Sequence, residues 1–202
     1  MEGFANIVLR AMFVENLALA FLLGMCTYLA VSKRVATAIG LGVAVIAVQV
    51  ITVPLNNLIY QTLLAPGALD WLGLGGLDLS FLKFVMFIGV IAASVQILEV
   101  ILERFIPALA QRLGIYLPLL TVNCAILGGS LLMVQRSYTF TQSVAYGLGS
   151  GLGWALAIVL FAAIRERLRY ADVPAGMQGL GLAFVVTGLL AFGFSGLTGL
   201  EL

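Results

Sequence analysis

The chain has 202 residues, of which 62% are hydrophobic and 9% are charged, and its formal net charge is +1. A soluble globular domain carries about 25% charged residues, so the composition excludes an ordinary soluble domain and predicts a single transmembrane domain over residues 1–202. The near-neutral charge gives no electrostatic reason to expect nucleic acid as a partner. The sequence has no histidine, which excludes a zinc or haem site that uses a histidine of this chain.

Six apolar stretches are long enough to cross a bilayer as helices, which takes about 20 mostly apolar residues each. They cover residues 4–31, 36–61, 81–103, 114–134, 141–163 and 176–198. The connections between them are short. The predicted fold class is therefore an all-α integral membrane protein with six transmembrane helices.

The basic residues predict the orientation of these spans. Seven follow the first, third and fifth spans, and three lie on the other side. The seven are Lys33, Arg34, Arg104, Arg112, Arg165, Arg167 and Arg169, and the three are Arg10, Lys83 and Arg136. Because cytoplasmic loops carry the excess of Lys and Arg, both termini are predicted to be periplasmic.

The two halves of the chain resemble each other in order. Residues 38–42 of span 2 match residues 145–149 of span 5. In spans 3 and 6, residues 82–85 match 182–185, and residues 89–92 match 188–191. Each half has an odd number of spans, so the halves run in opposite directions through the membrane. We therefore expect two inverted three-helix repeats, about 1–103 and about 104–202, with functional groups near their interface.

The only two cysteines, Cys26 and Cys124, lie at matching places in spans 1 and 4. Gly24 precedes the first and Pro118 the second, which predicts interrupted helices at both spans. Each thiol could simply be a small buried hydrophobe, or the pair could bind a metal. Two thiolates are too few for a closed zinc or iron–sulfur site, which takes four ligands, so a metal site needs a partner with two more cysteines.

Two acidic residues lie within predicted spans and away from their last residues, Glu15 in span 1 and Glu99 in span 3. A charge near the bilayer centre costs about 2.5–3.5 kcal/mol, so such a residue usually faces an interior, a cavity or a partner. Both are candidates for a cation pathway. The alternative for Glu99 is a place at the cytoplasmic rim, one turn from Glu103.

Span 5 and its end carry two further patterns. The pairs Gly147/Gly151 and Gly149/Gly153 have the spacing that allows close helix packing in membranes. The basic run at residues 164–169 is an anchor of topology, or alternatively a docking point for a cytoplasmic domain.

The segments 21–33 and 118–125 around the cysteines, with residues 162–167 and 172–174, resemble the E-subunit family of the Na+-translocating NADH:quinone oxidoreductase. The A subunit of the Rnf ferredoxin:NAD electron-transport complex shares these motifs. Residues 15–20 and the Gly-rich outer connection are closer to the quinone reductase family.

The resemblance implies a bacterial inner-membrane complex that oxidises NADH, reduces ubiquinone and exports Na+. In such a complex, the E subunit lies opposite in orientation to a homologous D subunit, and their four cysteines look like the ligands of an intramembrane 2Fe–2S cluster. Cys26 and Cys124 would supply two of them. The NADH, flavin and quinone sites would belong to the remaining A, B, C and F subunits.

Two other functions remain open from the residues alone. A small ion transporter without a redox centre would fit the inverted repeats and the polar residues Glu15, Asn56, Asn57 and Glu99. A scaffold with neither role would depend only on packing at the span 5 glycines.

Overall fold

The computed structural model describes residues 3–65, 80–105, 107, 111, 117–174, 176 and 178–196. Regular structure within these ranges is helical. The helices are α1 (Phe4–Leu9, continued by a π-helical segment Arg10–Val14), α2 (Met25–Val31), α3 (Val35–Ile59, continued by a π-helical segment Tyr60–Leu64), α4 (Lys83–Phe105, after a 3-10 turn Ser80–Leu82), α5 (Leu117–Thr121), α6 (Cys124–Gln135), α7 (Phe140–Leu168) and α8 (Leu180–Ser195).

Four stretches are long and apolar enough to cross a membrane: Val35–Leu64, Lys83–Phe105, Pro118–Gln135 and Phe140–Leu168. Two shorter apolar helices, Phe4–Val14 and Leu180–Ser195, lie in the first and last predicted spans. With 62% hydrophobic residues, this architecture is that of a multi-pass helical membrane protein.

Both predicted interruptions are present, and the first is long. The helix of span 1 ends at Val14 and a new helix begins only at Met25. Some predictions fall outside the described residues: residues 66–79 of the outer connection, Arg112, the first residues of predicted span 4, and residues 197–198 of predicted span 6.

The core is built on α3 and α7, which run antiparallel. Val35 at the start of α3 donates its N–H to Glu166 near the end of α7, at 3.4 Å. Farther along, Gln49 Nε2 donates to Ser150 Oγ at 3.1 Å. These contacts place the two longest helices side by side over most of their length, and the other described helices pack around them.

The glycines of α7 allow this close packing on two faces. A Cβ at Gly147 would lie 2.9 Å from the Gln49 carbonyl oxygen of α3. On the other face, a Cβ at Gly149 would lie 2.6 Å from the Val8 carbonyl oxygen, and one at Gly153 would lie 2.7 Å from that of Met12. The predicted packing role of these glycines is confirmed: one pair faces α3, and the other pair faces α1 and its π-helical segment.

Two asparagines of α3 join it to the second half of the chain. Asn56 Nδ2 donates to Ser130 Oγ of α6 at 2.9 Å, and Asn57 Nδ2 donates to the Tyr138 carbonyl oxygen at 2.7 Å. Both asparagines are buried. The buried Nδ2 donor of each side chain is satisfied by a residue of the second half, so both asparagines contribute to holding the helices together.

An alanine at Gly149 should destabilise the protein by about 1–3 kcal/mol, because its Cβ would overlap the backbone of Val8, which cannot move aside easily. The measurement is the free energy of unfolding in detergent. Gly193→Ala is the matched control, since a Cβ there has no neighbour within 4 Å. Equal stability of the two variants would contradict the packing described here.

Candidate metal centre

The first helix break is held by one buried side chain, Asn16. Its Oδ1 accepts from the N–H groups of Ala18 (3.0 Å) and Leu19 (3.3 Å). Its Nδ2 donates to the carbonyl oxygens of Gly153 (2.7 Å) and Met12 (3.0 Å). Backbone groups freed at membrane depth need such partners, so Asn16 makes a long non-helical segment possible there.

The second helix break lies at Val122 and Asn123, a few residues beyond Pro118. Asn123 precedes α6 and caps it, accepting from the Ala125 N–H at 3.0 Å. Pro118 lies in the first turn of α5, where a missing N–H costs little. The asparagine cap, more than the proline, therefore defines where the cysteine helix begins.

The two breaks contact each other directly. The Gly24 N–H donates to Cys124 Sγ at 3.0 Å, and Asn123 Nδ2 donates to Thr27 Oγ1 at 3.3 Å. Thr27 Oγ1 in turn donates to the Gly24 carbonyl oxygen at 3.0 Å. Gly24 has a φ of +78°, and a Cβ there would lie 2.9 Å from Asn123 Oδ1, so this position requires glycine. The backbone before Cys26 is thus joined to Cys124 itself.

Trp154, which the sequence alone did not indicate as important, contacts the first break and shows at which level of the core it lies. Trp154 Nε1 donates to the Leu23 carbonyl oxygen at 3.2 Å. Trp154 is the fifteenth of the 29 residues of α7, so the break lies level with the middle of the longest helix. Tyr28 contacts Trp154 edge-on at 6.5 Å between ring centroids and stacks on Phe161 at 4.5 Å, which fixes α2 against α7.

Both thiols are free and exposed on this chain. Cys26 is the second residue of α2, and Cys124 is the first residue of α6. The apolar side chains of the two breaks are also exposed: Phe21 at 43%, Leu22 at 55% and Val122 at 69%. The interpretation of the cysteines as small buried hydrophobes therefore does not fit this chain taken alone.

By itself, the thiol pair would be an incomplete set of metal ligands. Within the part of the chain that the structure describes, no three His, Cys, Asp or Glu residues come together to hold a metal. Two exposed thiols near contacting breaks can supply at most half of a four-ligand site.

Glu15 lies apart from the cysteines, in an ion-pair cluster. Arg10 Nε donates to Glu15 Oε1 at 3.0 Å, and Arg136 pairs with the other carboxylate oxygen. The Glu15 side chain is only 13% exposed. Burial lowers the pKa of Arg136, but the hydrogen bonds to Glu15 and Tyr138 and the Coulombic attraction of both residues outweigh it, so the pKa is raised and Arg136 stays charged.

Glu99 lies in the second half of α4 and is half-buried. It accepts from Gln96 Nε2 at 3.4 Å and pairs with no basic residue among those the structure describes. Neither glutamate contacts a cysteine in the described part of the chain, so the structure does not bring the two groups of predicted site residues together.

These features define a multi-pass helical membrane protein with two exposed thiols at helix breaks midway along its core. The chain belongs to the Rnf-Nqr family of membrane-protein subunits, whose model matches residues 4–201.

Three relatives match over the full 202 residues of both chains. They come from Idiomarina loihiensis (62% identical), Nitrosomonas europaea (61%) and Azotobacter vinelandii (59%). Each of them is named as the E subunit of the Na(+)-translocating NADH-quinone reductase.

Substituting Asn123 separates its two roles. Asn123→Ser keeps a cap oxygen for Ala125 but cannot reach Thr27, whereas Asn123→Ala loses both contacts. We expect the alanine variant to lose at least about 1 kcal/mol more than the serine variant, since that is the usual contribution of a helix cap. The measurements are the free energy of unfolding in detergent and the maleimide reaction rate of Cys124. Identical values for both variants and the parent protein would contradict this geometry.

Proposed function

We propose that this chain is the E subunit of a Na+-translocating NADH:ubiquinone reductase, in which it relays electrons within the membrane. The full-length identity of 57–62% to eight relatives of that name supports the assignment. The proposed partners are a homologous D subunit and the A, B, C and F subunits. The A subunit of the Rnf complex is the alternative within the same family.

The proposed topology is six spans in two inverted repeats, 1–103 and 104–202, in the bacterial inner membrane with both termini periplasmic. It is supported by the antiparallel pairing of α3 with α7 and by the cysteine at the start of both α2 and α6. The basic residues support the orientation. Lys33, Arg34, Arg165 and Arg169 line one pocket, whereas Arg10 and Arg136 share Glu15.

The single observation that carries the proposed redox role is the contact between the two cysteine segments. Because the Gly24 N–H reaches Cys124 Sγ, the backbone two residues before Cys26 lies against the second thiol. An iron–sulfur cluster normally takes four cysteines, so this pair fits half of a shared site. Cys26 and Cys124, with two cysteines of the D subunit, would hold a 2Fe–2S cluster, which would supply one-electron transfer within the membrane.

The residues around the thiols would favour such a role in three ways. The Gly24 N–H donates to Cys124 Sγ, which helps to orient this sulfur as a ligand. Trp154 and Asn123 hold both breaks in place, so the thiols are positioned before a partner arrives. The exposed Phe21, Leu22 and Val122 give the partner an apolar surface to pack against.

Changing Cys26 or Cys124 to serine should remove the iron signal that depends on this chain and stop quinone reduction, because serine is a poor ligand for iron–sulfur clusters. The measurements are iron content, EPR and the NADH:quinone reductase rate of the purified complex. Met25→Leu is the matched control: it lies beside Cys26, changes volume little and should keep the iron. Retained iron and rate in both cysteine variants of an assembled complex would overturn the redox role.

For the cation pathway, Glu99 is the better proposal of the two glutamates. Glu15 already pairs with two arginines, which leaves little negative charge for Na+. Glu99 has no such basic partner among the described residues and lies where a neighbouring protein or the membrane could meet it. A half-buried carboxylate that is not paired with a basic side chain is a suitable ligand for Na+.

Glu99→Gln should raise the Na+ concentration for half-maximal activity about tenfold, the loss expected when a charged ligand is removed. The measurement is the Na+ dependence of the quinone reductase rate. Glu103→Gln is the matched control, because Glu103 lies exposed one turn away on the same helix. An unchanged Na+ dependence in the Glu99 variant would remove this residue from the pathway.

A further inference from the structure

Four basic side chains surround a single pocket at one end of the core. The pocket has a volume of 280 Å³, and its lining consists of Lys33, Arg34, Arg165 and Arg169. The first two precede α3, and the others lie at the end of α7. The pocket therefore lies where two membrane-spanning helices meet the edge of the apolar layer.

The charge in this pocket is largely uncompensated. None of the four basic residues pairs with a carboxylate in the described part of the chain. The carboxylates nearest in sequence are Glu166, which accepts from the Val35 N–H at 3.4 Å, and Asp172. Four cations outnumber these two acids, so the pocket should attract an anion.

A second pocket continues the first and has a different character. It measures 310 Å³ and shares Arg165 and Arg169 with its neighbour. Its remaining wall includes the apolar side chains of Leu168, Val173 and Leu182. Together the two pockets form a cationic compartment beside one that has an apolar wall, and Arg165 and Arg169 line both.

One of the shared arginines is held rigidly. Arg165 Nη1 donates to the Leu29 carbonyl oxygen at 2.9 Å and to Ser32 Oγ at 2.8 Å. Its guanidinium lies 5.5 Å from the Phe161 ring centroid. A guanidinium fixed in this way loses little further entropy when it binds a phosphate, and its remaining N–H groups stay available for one.

We propose that these two pockets bind the headgroup of an anionic phospholipid. The phosphate lies among Lys33, Arg34, Arg165 and Arg169, and the glycerol with the first acyl carbons lies along Leu168 and Leu182. Lipid phosphates are found at the level where spanning helices end, and basic pockets between helices on the cytoplasmic side bind such headgroups. The apolar wall favours a lipid over free phosphate, which would gain nothing from it.

This site is independent of any cluster at the cysteines, but Arg165 connects the two regions. It binds the end of α2, the helix that begins beside Cys26. A bound phosphate would hold Arg165 from the other side. The headgroup would thereby help to fix the far end of the cysteine helix.

The test uses the full complex in nanodiscs and measures the association of spin-labelled phosphatidylglycerol relative to spin-labelled phosphatidylcholine. We expect Arg169→Gln and the double variant Lys33→Gln, Arg34→Gln to lower the preference for phosphatidylglycerol about fivefold for each charge removed. Arg167→Gln is the matched control, since Arg167 is exposed on the same helix end but lines neither pocket. Arg165 is left unchanged because it supports α2.

Three results would overturn the proposal. An equal loss of preference in the Arg167 variant would indicate a diffuse basic surface. Displacement of the lipid by inorganic phosphate at millimolar concentration would indicate a site for a soluble anion. Loss of a neighbouring protein from the pocket variants, with lipid preference unchanged, would indicate docking of an acidic protein segment.

Discussion

The structure depends on one constraint: backbone groups that leave a helix at membrane depth must find other hydrogen-bond partners. The chain meets this constraint at both breaks with buried side chains. At the first break, Asn16 makes four hydrogen bonds and Trp154 donates to the Leu23 carbonyl oxygen. At the second break, Asn123 caps the helix that follows. One freed N–H group, that of Gly24, takes a thiol sulfur as its acceptor. Cys124 therefore accepts a hydrogen bond from a freed backbone group, in addition to being a candidate metal ligand.

The close packing of α7 is what makes this arrangement possible. Its glycines let α3 approach on one face and the α1 segment on the other, so that the chain around Asn16 lies against Gly153. A larger residue at these positions would push the first break away from Trp154. The packing and the thiol geometry are thus properties of the same helix. The thiols themselves end up exposed, and in a membrane an exposed thiol faces either lipid or another protein. This is why the proposed function requires a second protein, and why the chain alone accounts for only half of a metal site.

Much of this could be predicted from the sequence because the signals are local. Hydropathy indicates the spans, glycine spacing indicates close packing, and Gly24 and Asn123 lie beside the cysteines they position. The length of the first break could not be predicted, because apolar residues 17–23 keep the hydropathy high while the backbone is not helical. The long-range contacts could not be predicted either. Gly24 and Cys124 are 100 residues apart, and no local sequence pattern indicates that they are in contact. The pairing of Glu15 with Arg136 was missed for the same reason, and it changes how that glutamate is interpreted.

The most direct test of the central claim is an anomalous difference map of the crystallised complex at the iron absorption edge. We expect an iron peak that contacts both Cys26 Sγ and Cys124 Sγ and reaches two cysteines of the neighbouring homologous protein. Strong iron peaks elsewhere in the complex, with none beside these two sulfurs, would contradict it.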